Sequence, residues 1–304
     1  MGTHPGPRQT VQVDDHTMAL SHLDKLMWPP DGDFPGWTKG EALHYYAQVS
    51  AVMLPHLRGR PASFVRFPEG IAGARFYAKN PPPGLPDWVT LAPVPGKEGP
   101  KDHVVLDSLG DLMAMANLYA LEIHTPQWTA QAGPDAHDRL VIDLDPGPGR
   151  DITHCCAVAL WVRDHLATDG LTAWVKTSGS KGLHLYAPLS GATGEQTSAY
   201  AKALAQRLEQ EHPDAVVSRM TRALRIGKTF IDWSQNTTAK TTAAPYSLRA
   251  TDRPSVSAPI TWDEVEAADP AALALTPEQV LARVAEYGDL HAGLLDPGGA
   301  RPLP

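Results

Sequence analysis

Disulfide and zinc frameworks are the first things this sequence lacks. Of its 304 residues only two are cysteines, the adjacent Cys155 and Cys156, and neighbours can neither staple a fold nor supply the spaced pairs of a zinc site. No stretch approaches the roughly 20 consecutive apolar residues that cross a bilayer. The N-terminus, Met1 to Thr10, is rich in Gly, Pro and polar residues and lacks the apolar core of a signal peptide. An excess of positive charge is missing too: the formal net charge is −8, which taken whole argues against a polyanionic partner. Internal repeats and low-complexity tracts are absent. What remains is a cytoplasmic globular chain without a membrane partner, long enough to bury one large core or two packed modules.

The charge is unevenly spread. Residues 254–304 hold eight acidic residues against two basic ones, whereas residues 216–253 hold Arg219, Arg222, Arg225, Lys228, Lys240, Arg249 and Arg253 against Asp232 and Asp252. A basic zone on an acidic body fits phosphate binding at one cleft and equally fits a solvated basic face.

The most informative stretch is Leu140-Val-Ile-Asp143-Leu-Asp145-Pro-Gly147. An apolar run ended by a Pro-Gly turn predicts a buried strand. Residues two apart on a strand share a face, so Asp143 and Asp145 point the same way. Two such carboxylates repel, and either one takes up a proton or a hard divalent cation sits between them. A solvated acidic strand end is the plainer alternative for an isolated D-x-D.

Around it the chain reads as alternating strands and helices. Residues 1–20 are expected to be a flexible or edge-strand leader. Thr38 with Glu41 three residues on predicts a capping box for a helix through Met53. Lys25 and Lys39 flank the loop before it, and a lysine in a first helical turn suits an anion at the helix end or simple surface exposure. Residues 63–79 predict a strand pair in which Phe76 and Tyr77 face opposite ways, and an exposed aromatic beside Lys79 suits base stacking as well as cross-strand packing. Residues 80–100 read as a long loop. Ser108–Glu122 reads as a helix that leaves His124 at its end, before Pro126. Asp151 or Thr153 caps another helix, closed by Gly170. A strand over 173–177 meets Ser178-Gly-Ser-Lys181-Gly182, a small-residue loop that can turn backbone N–H groups toward an anion or serve as an ordinary hairpin turn, and His184 follows it. Thr193 and Gln196 cap a helix through Leu208. Residues 223–236 predict a strand with Asp232 at its end, and short helices are expected over 261–268 and 276–287. The last residues, 291–304, read as a flexible Gly/Pro-rich end after a body spanning 21–290.

Three aspartates on two strands, a Gly/Ser/Lys loop between them and a cluster of arginines together suggest a two-metal site for phosphoryl transfer. With these motifs in view, the chain resembles the polymerase domain of bacterial ligase D, in the archaeo-eukaryotic primase superfamily. The resemblance covers about Leu23 to Ser257 and rests on D-L-D-P-G at 143–147, S-G-S-K-G-L-H at 178–184 and F-I-D-W-S-Q-N at 230–236, in that order and spacing.

The resemblance implies a mixed α/β primase-polymerase fold, two packed modules around a central acidic cleft. Asp143, Asp145 and Asp232 would be catalytic and hold two ions, Mn²⁺ or Mg²⁺. His124, Ser178, Lys181, Gly182, His184, Arg225, Gln235 and Arg249 would bind the incoming NTP or dNTP. Lys25 and Lys39 would hold the 5′-phosphate of a downstream DNA end, and Phe76, Tyr77 and Lys79 would stack on template bases. The implied activity is metal-dependent, template-directed addition of nucleotides, ribonucleotides preferred, to DNA 3′ ends, filling short gaps in end joining with Ku at the nucleoid. At His22 the sequence departs from the asparagine that ligase-fused members tend to carry. The chain is expected either to stand alone beside a separate ligase or to be an excised domain, with its Met1 start and Pro-rich end favouring the former. Priming and excision repair are alternatives on the same fold; a metal-dependent phosphohydrolase, disfavoured by Pro146-Gly147 after Asp145, and a non-catalytic end-binding protein are alternatives of another class.

Overall fold

The apolar run ahead of the aspartates becomes the central strand of a five-stranded sheet. The structure is a computed structural model in which residues 9–96 and 98–304 are described. A hairpin of β1 (Gln9–Val13) and β2 (His16–Leu20) and a ribbon of β3 (Leu26–Trp28) and β4 (Trp37–Thr38) lead into α1 (Lys39–Leu57). Strands β5 (Ser63–Arg66), β6 (Phe76–Ala78), β7 (Leu91–Val94) and β8 (Lys101–Val104) precede α2 (Leu109–Asn117), β9 (Ala120–Thr125) and β10 (Ala136–Pro146). There follow α3 (Ile152–Thr168), β11 (Trp174–Thr177), β12 (Leu183–Thr193), α4 (Gly194–Glu211), β13 (Val216–Val217) and β14 (Thr229–Asp232). After β15 (Thr242–Ala243), β16 (Leu248–Ala250) and β17 (Pro254–Val256) come α5 (Trp262–Ala267), α6 (Pro270–Leu273) and α7 (Pro277–Tyr287).

Two sheets organise these elements, one in the order β11-β12-β10-β14-β13 and one in the order β15-β9-β5-β6. The mixed α/β architecture is the one the sequence implies. Because side chains alternate along a strand, the larger sheet has two unlike faces. Leu140, Ile142 and Leu144 of β10 join Leu183 and Leu185 of β12 in the main core with Cys155, Val158 and Val162 of α3. Each such side chain, fully buried, contributes roughly 1.5–3 kcal/mol relative to exposure. The opposite face carries Val141 and Tyr186, covered by Leu294 from the C-terminal segment, and next to them the aspartates.

Helix starts follow the sequence closely. Thr38 and Thr193 both close full capping boxes, with Glu41 and Gln196, and Asp151 rather than Thr153 caps α3. Other expectations need correction. Residues 9–20 form the β1–β2 hairpin, whose Val13, Met18 and Leu20 enter the core; residues 1–8 lie outside the described residues. Helix α2 stops at Asn117, Tyr119 takes φ +66, and β9 starts at Ala120. A helix through Glu122 would forfeit the backbone pairing of Phe64 with Ile123 and Ser63 with His124, so His124 sits on a strand. The expected loop 80–100 contains β7, paired with β8. Residues 223–236 are not one strand: 3-10 turns at Arg222–Arg225 and Trp233–Asn236 flank β14, because Gly227 turns at φ +72 and its N–H reaches the carbonyl of Pro148. The C-terminal residues are not a loose end either. His291 is fully buried, and the N–H of Ser190 donates to the carbonyl of Arg301.

Candidate active site

Cross-strand register gathers the chemistry. Lys176 of β11 faces His184 of β12, His184 faces Asp143 of β10, and Asp143 faces Asp232 of β14. Directly paired residues share a face, so these four ionisable side chains form one transverse row. Asp145 lies two residues along β10 on the same face. The neighbouring row, Trp174, Tyr186 and Val141, is apolar and lies under Leu294. One sheet face is thereby divided into a sealed half and an open, charged half.

The open half forms a wall of a cleft of about 500 Å³ that continues to the smaller sheet. From β10 and the turn after it come Asp143, Asp145, Pro146 and Gly147; from the loop between β11 and β12 come Ser178, Ser180 and Lys181; and Thr242, Ala243 and His124 come from β15 and β9. His184, Arg222, Arg225, Gln235 and Arg249 also line it. Arg222, Ser180 and Thr241 to Ala243 were not singled out in the sequence; Arg222 was visible only as one of a run of arginines.

The carboxylates carry the site's electrostatic signature. Asp143 is buried, and that burial and then repulsion from Asp232 push its pKa up to about 7. Asp145 stands at the cleft mouth with more solvent, where the cleft walls and then Asp143 and Asp232 raise it to about 7. Repulsion of that kind is what a hard cation among carboxylates relieves, so the donor set fits a divalent ion. As the side chains stand, no three His, Cys, Asp or Glu groups among the described residues are gathered to hold one. Asp232 is engaged locally: its Oδ1 caps the following turn through the N–H and hydroxyl of Ser234, and its Oδ2 accepts from Gln235 Nε2 at 3.1 Å.

Around the carboxylates the cations are held in place. Arg249 donates to the carbonyl of Ser178 and lies 3.3 Å from Glu122 Oε2. Glu122 also bonds His124 Nε2 at 2.9 Å and accepts the N–H of Ala250. Burial alone would raise this carboxyl, but His124 and Arg249 outweigh it and hold Glu122 down to about 2. Arg225 lies 3.6 Å over the Phe230 ring. The Ser178–Gly182 loop differs from expectation in detail. The N–H groups of Ser180 and Gly182 do converge, but on Ser178 Oγ at 3.2 and 3.1 Å, leaving exposed Lys181 as the loop's charge toward the cleft. Gly182 sits behind the lining, where a Cβ would come 1.9 Å from the carbonyl oxygen of Leu144.

The remaining candidates lie outside this cleft. Lys39 is buried, not at the surface, and donates to the carbonyl of Ser21 at 2.7 Å and to Asn117 Oδ1 at 2.8 Å. Lys25 bonds Glu69 at 2.9 Å, and both ammoniums stand over the Tyr119 ring, at 5.4 and 4.4 Å for Lys25 and Lys39. Burial and then Lys25 lower Lys39 to about 8. His22, at φ +53, reaches the Tyr119 hydroxyl at 3.4 Å. Phe76 and Tyr77, adjacent on β6 and so on opposite faces, are both 52% exposed, so neither face of the sheet is covered at this strand. The Tyr77 hydroxyl meets Thr241 Oγ1 at 3.0 Å and Lys79 donates to the carbonyl of Ala239 at 2.8 Å, which puts this pair beside the cleft rim.

Comparison with known proteins places these features. A family model described as the LigD primase-polymerase domain matches residues 38–291. The multifunctional non-homologous end joining DNA repair protein LigD of Mycobacterium tuberculosis is 43% identical over 286 residues, 91% of this chain and 37% of that protein. The bifunctional non-homologous end joining protein LigD of Bacillus subtilis is 30% identical over 273 residues, 89% of this chain and 43% of that protein. The chain thus spans well under half the length of these relatives. Among solved structures, the polymerase domain from Mycobacterium tuberculosis ligase D in complex with DNA superposes with a TM-score of 0.85 at 43% identity, covering 91% of this chain and 98% of that one.

Proposed function

Since the chain belongs to the LigD primase-polymerase domain family, whose members are metal-dependent nucleotidyltransferases, we propose that it extends DNA 3′ ends on a template and fills short gaps at breaks during end joining, with ribonucleoside triphosphates favoured over deoxyribonucleoside triphosphates. The observation that carries this reading is the register row: Asp143 paired with Asp232 across β10 and β14, with Asp145 two residues on, beside a cleft rich in cations. We take residues 9–304 to act as one catalytic unit.

Asp143, Asp145 and Asp232 would hold two divalent ions, Mn²⁺ in preference to Mg²⁺. When bound, the ions supply charge neutralisation at the transferred phosphate and acidify the attacking 3′-hydroxyl. The chain's own residues bind and orient. Lys181, Arg225 and Arg249 meet the triphosphate with charge-assisted hydrogen bonds, and His124, Ser178, Gly182, His184 and Gln235 shape the pocket around it. Glu122 keeps His124 and Arg249 in position, through a hydrogen bond to the first and an ion pair with the second. Lys25 and Lys39 receive the 5′-phosphate of a downstream DNA end, since an anion shared between them would relieve the burial and the repulsion from Lys25 that lower Lys39. Phe76, Tyr77 and Lys79 offer exposed rings and a cation to template bases. The DNA-bound neighbour supports a DNA substrate. Ku and a DNA ligase activity are the partners proposed for this role, and the nucleoid is where they would meet.

Primer extension tests the assignment. Asp145→Ala is expected to reduce extension by on the order of a thousandfold or more, with the circular dichroism spectrum unchanged and the melting temperature not lowered, because Asp145 sits at the mouth rather than in the core and its charge is opposed by its neighbours. Retained extension in metal-replete buffer would sink the reading.

A further inference from the structure

Lys176 has no place in the scheme above, yet it is fully buried beneath the site. Lysine is almost never fully buried unless its head group is paired, and here the pairing is specific. Its Nζ lies 3.0 Å from His184 Nδ1 and donates to the Ser257 hydroxyl. Ser257 Oγ in turn donates to the carbonyl of Thr177 at 3.0 Å. With its hydrogen so used, the Ser257 oxygen is left to accept from Lys176. On the other side of the imidazole, Nε2 stands 3.3 Å from Asp143 Oδ1. Ionised, as it would be when holding a cation, Asp143 accepts only, and the His184 tautomer that suits it carries the proton on Nε2 and leaves Nδ1 to accept. The Tyr186 ring, edge-on to the imidazole at 6.3 Å, holds its plane.

We propose that Lys176 is a positioning residue for nucleotidyl transfer: by donating to Nδ1 it fixes His184 as the Nε2–H tautomer, aimed at Asp143 and the cleft. The register explains how a residue on the outermost strand does this. Lys176, His184, Asp143 and Asp232 are successive partners across four strands, so Lys176 bears on His184, and His184 on Asp143, along a line that leads to the reacting centre. The ring nitrogen facing the substrate would otherwise be free to present a lone pair to a triphosphate, which repels it. Its consequence for rate rests on the polymerase reading, whereas the tautomer can be read without nucleotide or DNA.

The test combines nitrogen-15 NMR of the histidine side chains with extension kinetics. In the wild type, His184 (identified by its loss in His184→Gln) is expected to show a bare Nδ1 and a protonated Nε2. In Lys176→Met the two tautomers are expected to mix, with kcat falling about ten- to hundredfold, the usual range for an outer partner of a functional side chain. KM for the triphosphate should change less than about threefold. Ser257→Ala, which removes the acceptor that steadies Lys176, should shift both readouts the same way by less, and serves if the lysine variant fails to fold. A wild-type His184 protonated on Nδ1 would overturn the proposal whichever variants fold. So would variants that leave both tautomer and kcat unchanged. Absence of extension by the wild type would count against the polymerase reading, while the tautomer would still decide the role of Lys176.

Discussion

One methyl group at Gly182 would stand 1.9 Å from the carbonyl oxygen of Leu144, so the glycine is there to let β12 approach β10 beside the aspartates. Gly182→Ala is expected to cost about 1–3 kcal/mol, the range for forcing extra volume into a packed site, and to lower extension along with the melting temperature. An unchanged melt would contradict this account of the close approach. Lys25 gives a prediction of another kind. Lys25→Ala is expected to lose about tenfold of the preference for gapped DNA bearing a downstream 5′-phosphate, one charge-assisted hydrogen bond's worth at about 1.4 kcal/mol. The effect should be largest at low salt. Equal preference in variant and wild type, measured by fluorescence anisotropy, would remove Lys25 from the phosphate site. At this scale the sequence is legible where a residue type already implies its chemistry, as with the D-x-D pair and Lys181. Lys176 and Glu122 escape notice because their roles arise only when register brings them to His184, or when a strand replaces the helix expected over Ser108–Glu122. That both Phe76 and Tyr77 are exposed could not be read either, since alternation puts them on opposite faces without telling that both faces are uncovered.

Capping boxes make element starts visible: Thr38, Thr193, Thr261 and Thr276 each begin the helix that the spacing predicts. Element ends are less visible. Leu118 to Glu122 has a helical apolar pattern, and only pairing with β5 shows that it turns into strand. The C-terminal segment misleads for a similar reason. Its Gly and Pro content reads as loose chain, whereas His291 anchors it, donating to the carbonyl of Val175 at 2.8 Å and packing near His56 and Tyr186. Burial, then the neighbouring His56, hold His291 down to about 3 from an ordinary 6.5. The unfolded chain takes up a proton below pH 6.5 that the folded one refuses. The stabilisation by neutral His291 is therefore complete above pH 6.5 and is lost toward pH 3, at about 1.4 kcal/mol per pH unit. His291→Gln keeps a donor for Val175 but cannot titrate. It should reduce the pH slope of stability between 6 and 4 by one proton; an unaltered slope would mean that His291 charges freely in the fold.

Over the whole molecule, a net charge of −8 conceals a cleft to which Lys181, Arg222, Arg225 and Arg249 all contribute. Sequence shows the basic zone but not that it faces the aspartates, because that needs β14 laid against β10 and the smaller sheet brought across from them. The result is a body in which one sheet face is sealed by helices, half of the other is sealed by the C-terminal segment, and the strip left open holds the carboxylates. No helix among the described residues is long and apolar enough to cross a membrane. End joining, priming and excision repair would all use this strip, and they differ in the DNA presented to it. The most direct test of the central claim is extension by the wild-type chain on a short gapped duplex with a downstream 5′-phosphate, comparing NTPs with dNTPs and Mn²⁺ with Mg²⁺. Templated growth that requires a divalent ion, is faster with NTPs and is strongest with Mn²⁺ is the expected result. A well-folded protein that binds the duplex yet adds no nucleotide with any metal or triphosphate would contradict it.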